Sequence, residues 1–502
     1  MIASALLAAI AFVPMDDRPV TAQLPVLVGR IAGVAVTTPP ARDLGHYLTP
    51  GNADAIVRWL NRATHDREND AFVVSSDMLA YGGLIASRIP GPSYVDARSR
   101  LTQLKVTRAQ RSDAWIAAFG TVMRLAPTGA PASSNFFAAY PVWSYLQQYA
   151  NLHDPPLPNE TAEAQHLREE IPPATFDAYL ATRARNFAVD SFLLQLASEG
   201  AVDRLVLGQD DAGAVGLHVR EVAALQSIVR NEALGDRVSI EPGADELGMA
   251  LIAHALARRA QWVPRIAVAY SKPNGASFQD PLEFAPISNA IDGLIRLCGG
   301  VHDDANPDIV LYVRVPNTDD AQDAAFMEAM GADALRGRQV ALADISFLHA
   351  YAEQAAFAQK ILRSGLAARL DAYASWNTNA NTIGTVLAEA VAAGAGRRTG
   401  AYDALAHRTF TFVRFLDDYA FHDEVRPDLN AVLAAEGVTD RSLLPESVAI
   451  PIAVRNRSLL WQRAEAILAQ LDPGYHIAAM TIELPWSRTF ETSIDAAIAP
   501  DL

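Results

Sequence analysis

Short runs rich in Val, Ile, Leu and Ala alternate along the chain with longer amphipathic segments, and that alternation predicts parallel βα units. The apolar runs at residues 10–15, 33–38, 71–76, 115–125, 204–208, 238–242, 266–270, 309–315, 340–344 and 370–375 have strand length. Several are unbroken rather than alternating, as in strands covered on both faces. Between them, residues 53–63, 175–198, 219–230, 246–259 and 322–330 repeat apolar positions at helical spacing. These ten runs exceed the eight strands of a bare barrel. The expected fold is α/β: a (β/α) barrel-like main domain, an additional small α/β region and a helical C-terminal part. A pair of doubly wound domains fits the same pattern.

The rhythm sets expected boundaries. A barrel-like core covers 9–262, a second α/β region that contributes to the site covers 263–395, and 396–502 is mainly helical. Helical pattern returns there at 401–420 and 445–471, before a β-like piece at 476–484. Within the core, 128–173 breaks the pattern with prolines and the aromatics Phe136, Phe137, Tyr140, Trp143, Tyr145 and Tyr149. That insertion reads as a lid or aromatic wall over a strand end, or as aromatic anchors of a helical excursion. No internal repeat or low-complexity tract is visible.

Composition narrows the partners. The 502 residues include 57 acidic and 41 basic side chains, a formal net charge of −16. A field of that sign repels phosphate backbones and anionic membrane surfaces, so neither nucleic acid nor membrane is an expected partner. No segment approaches the roughly 20 apolar residues of a membrane helix. Cys298 is the only cysteine, which excludes an intrachain disulfide and a thiolate-rich metal site. It follows an apolar helical stretch, where a buried inert thiol is the expectation. Residues 1–8 read either as the remnant of a secretory signal or as the lead-in to the first strand, so cytoplasm and periplasm both stay open.

Candidate chemistry collects where the runs end, at the rim where parallel α/β folds bind ligands. The first run leads into Asp16-Asp17-Arg18-Pro19, and the third into Ser76-Asp77, Tyr81 and the paired Gly82-Gly83. The glycines permit close approach of a ligand or of a neighbouring strand. The clearest placement is Gly208-Gln209-Asp210-Asp211, where two adjacent carboxylates repel and one holds its proton to higher pH. Such a pair suits acid/base work or a divalent cation, and helix capping accounts for one of them. Asp245 and Glu246 stand at the next strand exit, with capping again the plain alternative. Later exits carry Arg314 and Asn317, then Trp376, Asn377 and Asn379 among further Asn and Thr residues. Amides and carboxylates beside an indole ring suit a sugar or other polyol, while a helix start uses the same residues to satisfy its own backbone.

Absent motifs matter as well. There is no G-x-G-x-x-G after the first run, no G-x-x-x-x-G-K-[ST], no H-E-x-x-H and no G-x-S-x-G, so nucleotide cofactors, zinc peptidase chemistry and a serine hydrolase elbow lack support. Carboxylate chemistry remains.

The motifs F-V-P-M-D-D-R-P-V (12–20), S-D-M-L-A-Y-G-G-L-I-A-S-R (76–88), G-Q-D-D (208–211), P-G-A-D-E (242–246) and W-N-T-N-A-N-T-I-G (376–384) occur in order. As a set they resemble a bacterial family catalogued as domain of unknown function 4127. Asp17 stands where that family commonly has Glu, and Val20-Thr21 where Cys-Asn is usual. The resemblance brings no activity with it. A narrower similarity, to hexosaminidase-type glycoside hydrolases, consists of a strand followed by Asp210-Asp211 and the later Tyr-x-x-Trp-Asn at 373–377.

The functional expectation is a carbohydrate-active hydrolase that cleaves a glycosidic bond of a small-molecule or oligosaccharide substrate without a cofactor. Asp210 and Asp211 supply acid/base or orienting carboxylates and Glu246 the second acid. Asp16, Asp17, Arg18, Asp77, Tyr81, Arg314, Asn317, Trp376, Asn377 and Asn379 line the pocket. One alternative is a hydrolase or phosphoryl-transfer enzyme with Asp16, Asp77, Asp210 and Asp211 around Mg²⁺ or Mn²⁺. The other is a non-catalytic sugar-binding protein.

Overall fold

A computed structural model describes residues 9–126, 143–144, 155, 157–209, 212–280, 283, 285–346 and 351–501. The expected aromatic insertion, apart from Trp143 and its C-terminal portion, and the lead-in at 1–8 lie outside these residues. The chain divides into two compact units. The first comprises Met1–Asp17, Ala35–Gly248 and Gln279–Pro286, and the second Arg18–Val34, Met249–Phe278 and Ile287–Leu502.

In the first unit the strands are β1 (Ala9–Val13), β2 (Ala35–Thr37), β3 (Asn69–Ser75), β4 (Trp115–Val122), β5 (Arg204–Gln209) and β6 (Val238–Pro242). They form one parallel sheet in the order β2-β1-β3-β4-β5-β6. β1 and β4 are buried along their whole length, which is why their sequences are apolar apart from Thr121 near the end of β4.

The second unit repeats this plan. Its parallel strands are β7 (Arg265–Tyr270), β8 (Val301–His302), β9 (Ile309–Arg314), β10 (Gln339–Asp344) and β11 (Ala372–Ala374), in the order β11-β10-β9-β7-β8. Helix Asn379–Thr399 is buried on all sides from Asn379 to Gly396, so its small residues are packing positions. A Cβ on Gly394, for example, would come within 2.5 Å of the Trp262 ring. An antiparallel hairpin, β12 (Tyr475–Glu483) and β13 (Ser493–Pro500), packs with helix Glu446–Leu471 around a core that includes Phe357, Phe412, Phe415 and Leu460. Cys298 is fully buried in this unit.

The α/β class and the ten expected strands are present, each within a few residues of its expected place. The barrel is not. Each sheet starts at an interior strand, adds its second strand on one side and all later strands on the other, leaving two open edges. Closure would need the first and last strands to pair, and here β1 and β6 are four places apart. Among the described residues no helix is long and apolar enough to cross a membrane.

Candidate functional site

In doubly wound sheets the crevice lies at the C-terminal rim, where strand order reverses. In the first unit that point falls between β1 and β3. The loops leaving β1, β2 and β3 are tied together there by backbone bonds: Asp17 N to Gly45 O (3.1 Å), Gly51 N to Gly82 O (2.8 Å) and Leu84 N to Met15 O (3.3 Å). Gly82 and Gly83 have φ of +90° and +132°, and a Cβ on Gly82 would stand 2.5 Å from Gly51 O. Loop-to-loop approach therefore accounts for the paired glycines. Asp16 is buried at this point, and Asp17 pairs with the exposed ring of His46 at 2.7 Å.

Asp77 sits in the first turn of helix Ser76–Tyr81, capped by Ser75, and its carboxyl faces inward. Gly120 on β4 leaves room for the Ser76 side chain, which donates to Phe119 O at 3.1 Å. Next to it, Thr121 Oγ1 donates to Asp77 Oδ2 at 3.0 Å. Burial pushes the Asp77 carboxyl up to about 7, against the Thr121 bond and the charges of Arg88 and Arg185.

Helix Pro173–Ser198 completes this rim. Tyr179, Arg183, Asn186 and Asp190 recur every three or four residues and are all buried. Tyr179 and Arg183 hold the backbone after β4, through Leu125 O (3.0 Å) and Met123 O (2.9 Å) respectively. Asn186 and Arg185 both donate to Ser87 O, and Arg185 lies 4.4 Å from the Tyr81 ring. Burial pushes Asp190 well above the usual carboxylate range, the negative charges of Asp77 and Glu221 add to it, and Arg183 opposes. Burial likewise raises the Tyr81 phenol, with Asp190 the next contributor.

Gln209 ends β5 and is buried, while the expected catalytic pair Asp210 and Asp211 lies outside the described residues. Glu246 follows β6, the neighbour of β5, and is wholly buried, with Oε2 accepting Ala244 N at 3.1 Å. β6 is three places from β3, roughly 14 Å at ordinary strand spacing. The carboxyl on which the Asp77 charge acts is that of Asp190.

In the second unit Arg314 closes β9 and is fully enclosed. Its guanidinium donates to Asp323 (3.0 Å), Asp344, Ser346 (3.1 Å) and Thr318 (2.8 Å), and lies 4.3 Å from the Phe357 ring. Its expected place lining a pocket gives way to a structural task, because its donors face partners of the fold. Burial opposes ionisation of Asp323, yet Arg314 and its hydrogen bonds hold that carboxyl below the usual range. At Asp344 burial wins, and the carboxyl is raised.

The expected amide-rich surface after β11 is largely a helix start. Thr378 caps Asn379–Thr399 through Asn381 N. Asn377, at φ +53°, and Thr378 both donate to Asn381 Oδ1, at 2.9 and 2.6 Å. Trp376 is buried, with its indole N–H on Thr385 Oγ1 at 3.2 Å. Asn317 is left-handed at φ +61°, just before the Asp319 cap of helix Asp320–Leu335. Asn379 lies in the first turn of its helix and is buried.

A π-helical segment, Phe415–Val425, brings further acids to this rim. Arg414 binds Asp417 (2.7 Å) and Asp418 (2.8 Å), and Asp418 accepts Ser375 N at 2.8 Å. Burial raises Asp417 and Asp418 despite Arg414. Asp423 is pushed up to about 9 by burial and by the charges of Asp344, Asp418 and Glu424. Neither of its oxygens meets a hydrogen-bond donor among the described residues.

Of the residues read from sequence, Asp16, Asp17, Asp77, Tyr81 and Glu246 belong to the first unit. Arg18, Arg314, Asn317, Trp376, Asn377 and Asn379 belong to the second. The sequence reading passed over Thr121, Asp190, Asp344, Asp417, Asp418 and Asp423. Asp344 ends an apolar run just as Asp77 follows one, and Asp190 completes a polar series at helical spacing, so both left a signal. Among the described residues no three His, Cys, Asp or Glu side chains are grouped to hold a metal ion.

No curated protein and no solved structure matches the chain. The model of one family, described as "Protein of unknown function (DUF4127)", matches residues 10–495. That match spans nearly the whole chain, both sheets included, and the chain belongs to the DUF4127 family.

Proposed function

We propose that the chain is a carboxyl-dependent hydrolase of glycosidic bonds, with its reacting groups on the rim of the first sheet. The observation that carries this reading is Asp77: a buried carboxyl, titrating at about 7, at the point where strand order reverses. At neutral pH such a group holds a proton for about half the time and can give it to a leaving oxygen. Burial, with the Asp77 and Glu221 charges behind it, also pushes the Asp190 carboxyl well above the usual range. Asp210 and Asp211, which follow β5 in the sequence two places from β3, are the carboxylates that would stabilise or attack the sugar's anomeric carbon.

The test is turnover on a panel of chromogenic glycosides. Asp77→Asn should lower kcat about 10²–10⁴-fold, the usual worth of a general acid. Because the donor must be protonated, wild-type kcat should fall as pH rises through about 7. Full activity in Asp77→Asn would remove that residue from the chemistry. Saturable sugar binding with no turnover at any pH would return the chain to the class of sugar-binding proteins.

A further inference from the structure

The second unit contains a small enclosed pocket lined by Arg18, Trp376, Asn377, Asp417, His422 and Phe490, with Pro19, Val20, Glu491 and Thr492 completing it. Four separate pieces of chain build it. The π-helical turn Pro19–Gln23 is pinned to β13 by Gln23 Nε2 on Ile494 O at 2.9 Å. Trp376 and Asn377 leave β11, and Phe415–Val425 supplies Asp417 and His422. The loop between β12 and β13 supplies Phe490 to Thr492, and is itself held by Thr489 on Asn430 (2.7 Å) and Asn456 on Thr492 (3.0 Å). π-Helical segments are rare and concentrate at functional sites. Here two of them border one pocket at a ligand-binding rim.

The pocket contains an unmet acceptor. Asp417 is 7% exposed, and its Oδ2 takes a bond from Arg414 at 2.7 Å. Among the described residues its Oδ1 has no hydrogen-bond donor, and His422 Nε2 stands 3.8 Å away. A buried carboxylate oxygen left so is costly unless something donates to it. The space is about 20 Å³, room for one hydroxyl-sized group.

We infer that this pocket binds an uncharged, hydroxyl-bearing ligand, a sugar residue, which donates one hydroxyl to Asp417 Oδ1 and lays its C–H face against Phe490. Charge excludes the other donors. An ammonium group would enter beside Arg18 and Arg414, and burial, with the Arg426 and Arg414 charges behind it, holds His422 well below its usual value. An anion would meet the free oxygen of Asp417 directly. Phe490 is 37% exposed, and the Arg426 and Arg488 guanidinium groups each lie 5.0 Å from its ring, which fixes the ring while leaving part of it open. An aromatic face beside a carboxylate acceptor is the pairing that sugars require. The inference shares its ligand class with the proposed function and concerns binding alone.

The experiment is calorimetric titration of the full chain in an Asp77→Asn background, which removes turnover from the readout. The probes are glucose and N-acetylglucosamine, with glucosamine and glucuronate as charged counterparts. A neutral sugar should bind saturably and tighter than either charged one. Asp417→Asn, which turns the acceptor into a donor, should weaken it at least tenfold, and Phe490→Ala several-fold. Phe490→Ala alters only a partly exposed ring, so it decides the matter even if Asp417→Asn does not fold. No saturable binding of a neutral sugar, tighter binding of a charged one, or affinity unchanged by Phe490→Ala overturns the inference and leaves the space to water. Glycoside turnover without such binding would spare the proposed function and reject this pocket.

Discussion

The two sheets share a strand plan and both place acids at the C-terminal rim, yet they treat those acids differently. On the second rim, arginines meet carboxylates directly: Arg314 on Asp323 and Asp344, Arg414 on Asp417 and Asp418. On the first rim Arg183 pairs with Glu221 and also holds backbone carbonyls, Arg185 turns to backbone carbonyls, and Asp77 has a neutral threonine as its hydrogen-bond donor. Ionisation alone does not separate the rims: Asp323 is held below the usual range, but burial raises Asp344 and Asp417 despite their arginines and pushes Asp418 up to about 7, where Asp77 also lies. What differs is the partner: on the second rim the acids are committed to cations of the fold, and on the first Asp77 is held by a hydroxyl.

The sharpest way to break this contrast is to unbrace the second rim. Arg314→Leu should cost about 3–5 kcal/mol of unfolding free energy in chemical denaturation, because it strands Asp323 and Asp344 without their cation. A loss below about 1 kcal/mol would show that the pairs do not hold the rim together.

The first rim should respond to pH instead. The folded-state value of Asp77 lies above the unfolded one, 3.8 against about 7, so its contribution to stability is full below the lower value and lost as pH rises through the upper. Asp77→Asn cannot ionise. Between pH 5 and pH 8.5 the wild type should therefore lose about 3 kcal/mol relative to this variant. Parallel stability–pH curves for the two proteins would show that Asp77 is not a buried titrating group.

How far this contrast could be read from sequence depends on the range of the interactions. Apolar runs are local, so all ten expected strands were legible, together with the acids at their exits. Strand order is not local: the same alternation feeds a closed barrel or two open sheets, and only pairing decides. The exposed two-residue β8 and the half-exposed β13 carried too little apolar signal to be recognised. Partner choice was equally hidden. Nothing along the chain tells that Arg314 faces inward to Asp344 thirty residues later, or that Asn377, Thr378 and Asn381 bond chiefly with one another. Asp190 left only the signal of its spacing, because helix Pro173–Ser198 buries apolar and polar residues together and so shows no clean polar face.

A smaller perturbation tests the hydroxyl that tunes Asp77. Thr121→Val keeps the shape of the side chain and removes its bond to Oδ2, an interaction of about 1 kcal/mol. That bond favours the ionised carboxyl, so its loss should raise the Asp77 value by about one unit. The alkaline limb of the kcat profile should move upward by the same amount, and a limb that stays put would assign it to another group.

An effect of opposite sign is expected at the exception on the braced rim. Asp423 has neither an arginine nor a donor among the described residues, and its carboxyl is pushed up to about 9. At pH 7 it stays neutral in the folded protein while the unfolded chain ionises, so the wild type has already lost most of the stability that this proton carried, whereas Asp423→Asn has no proton to lose. The variant should match the wild type near pH 3 and be the more stable of the two at pH 7, by several kcal/mol. The gap should stop growing above about pH 9, where both states of the wild type are ionised. Had Asp423 been braced like Asp344, removing its charge at pH 7 would instead destabilise the protein by several kcal/mol. The sign of the difference at neutral pH therefore reports whether this acid belongs with Asp77 or with the ion pairs around it.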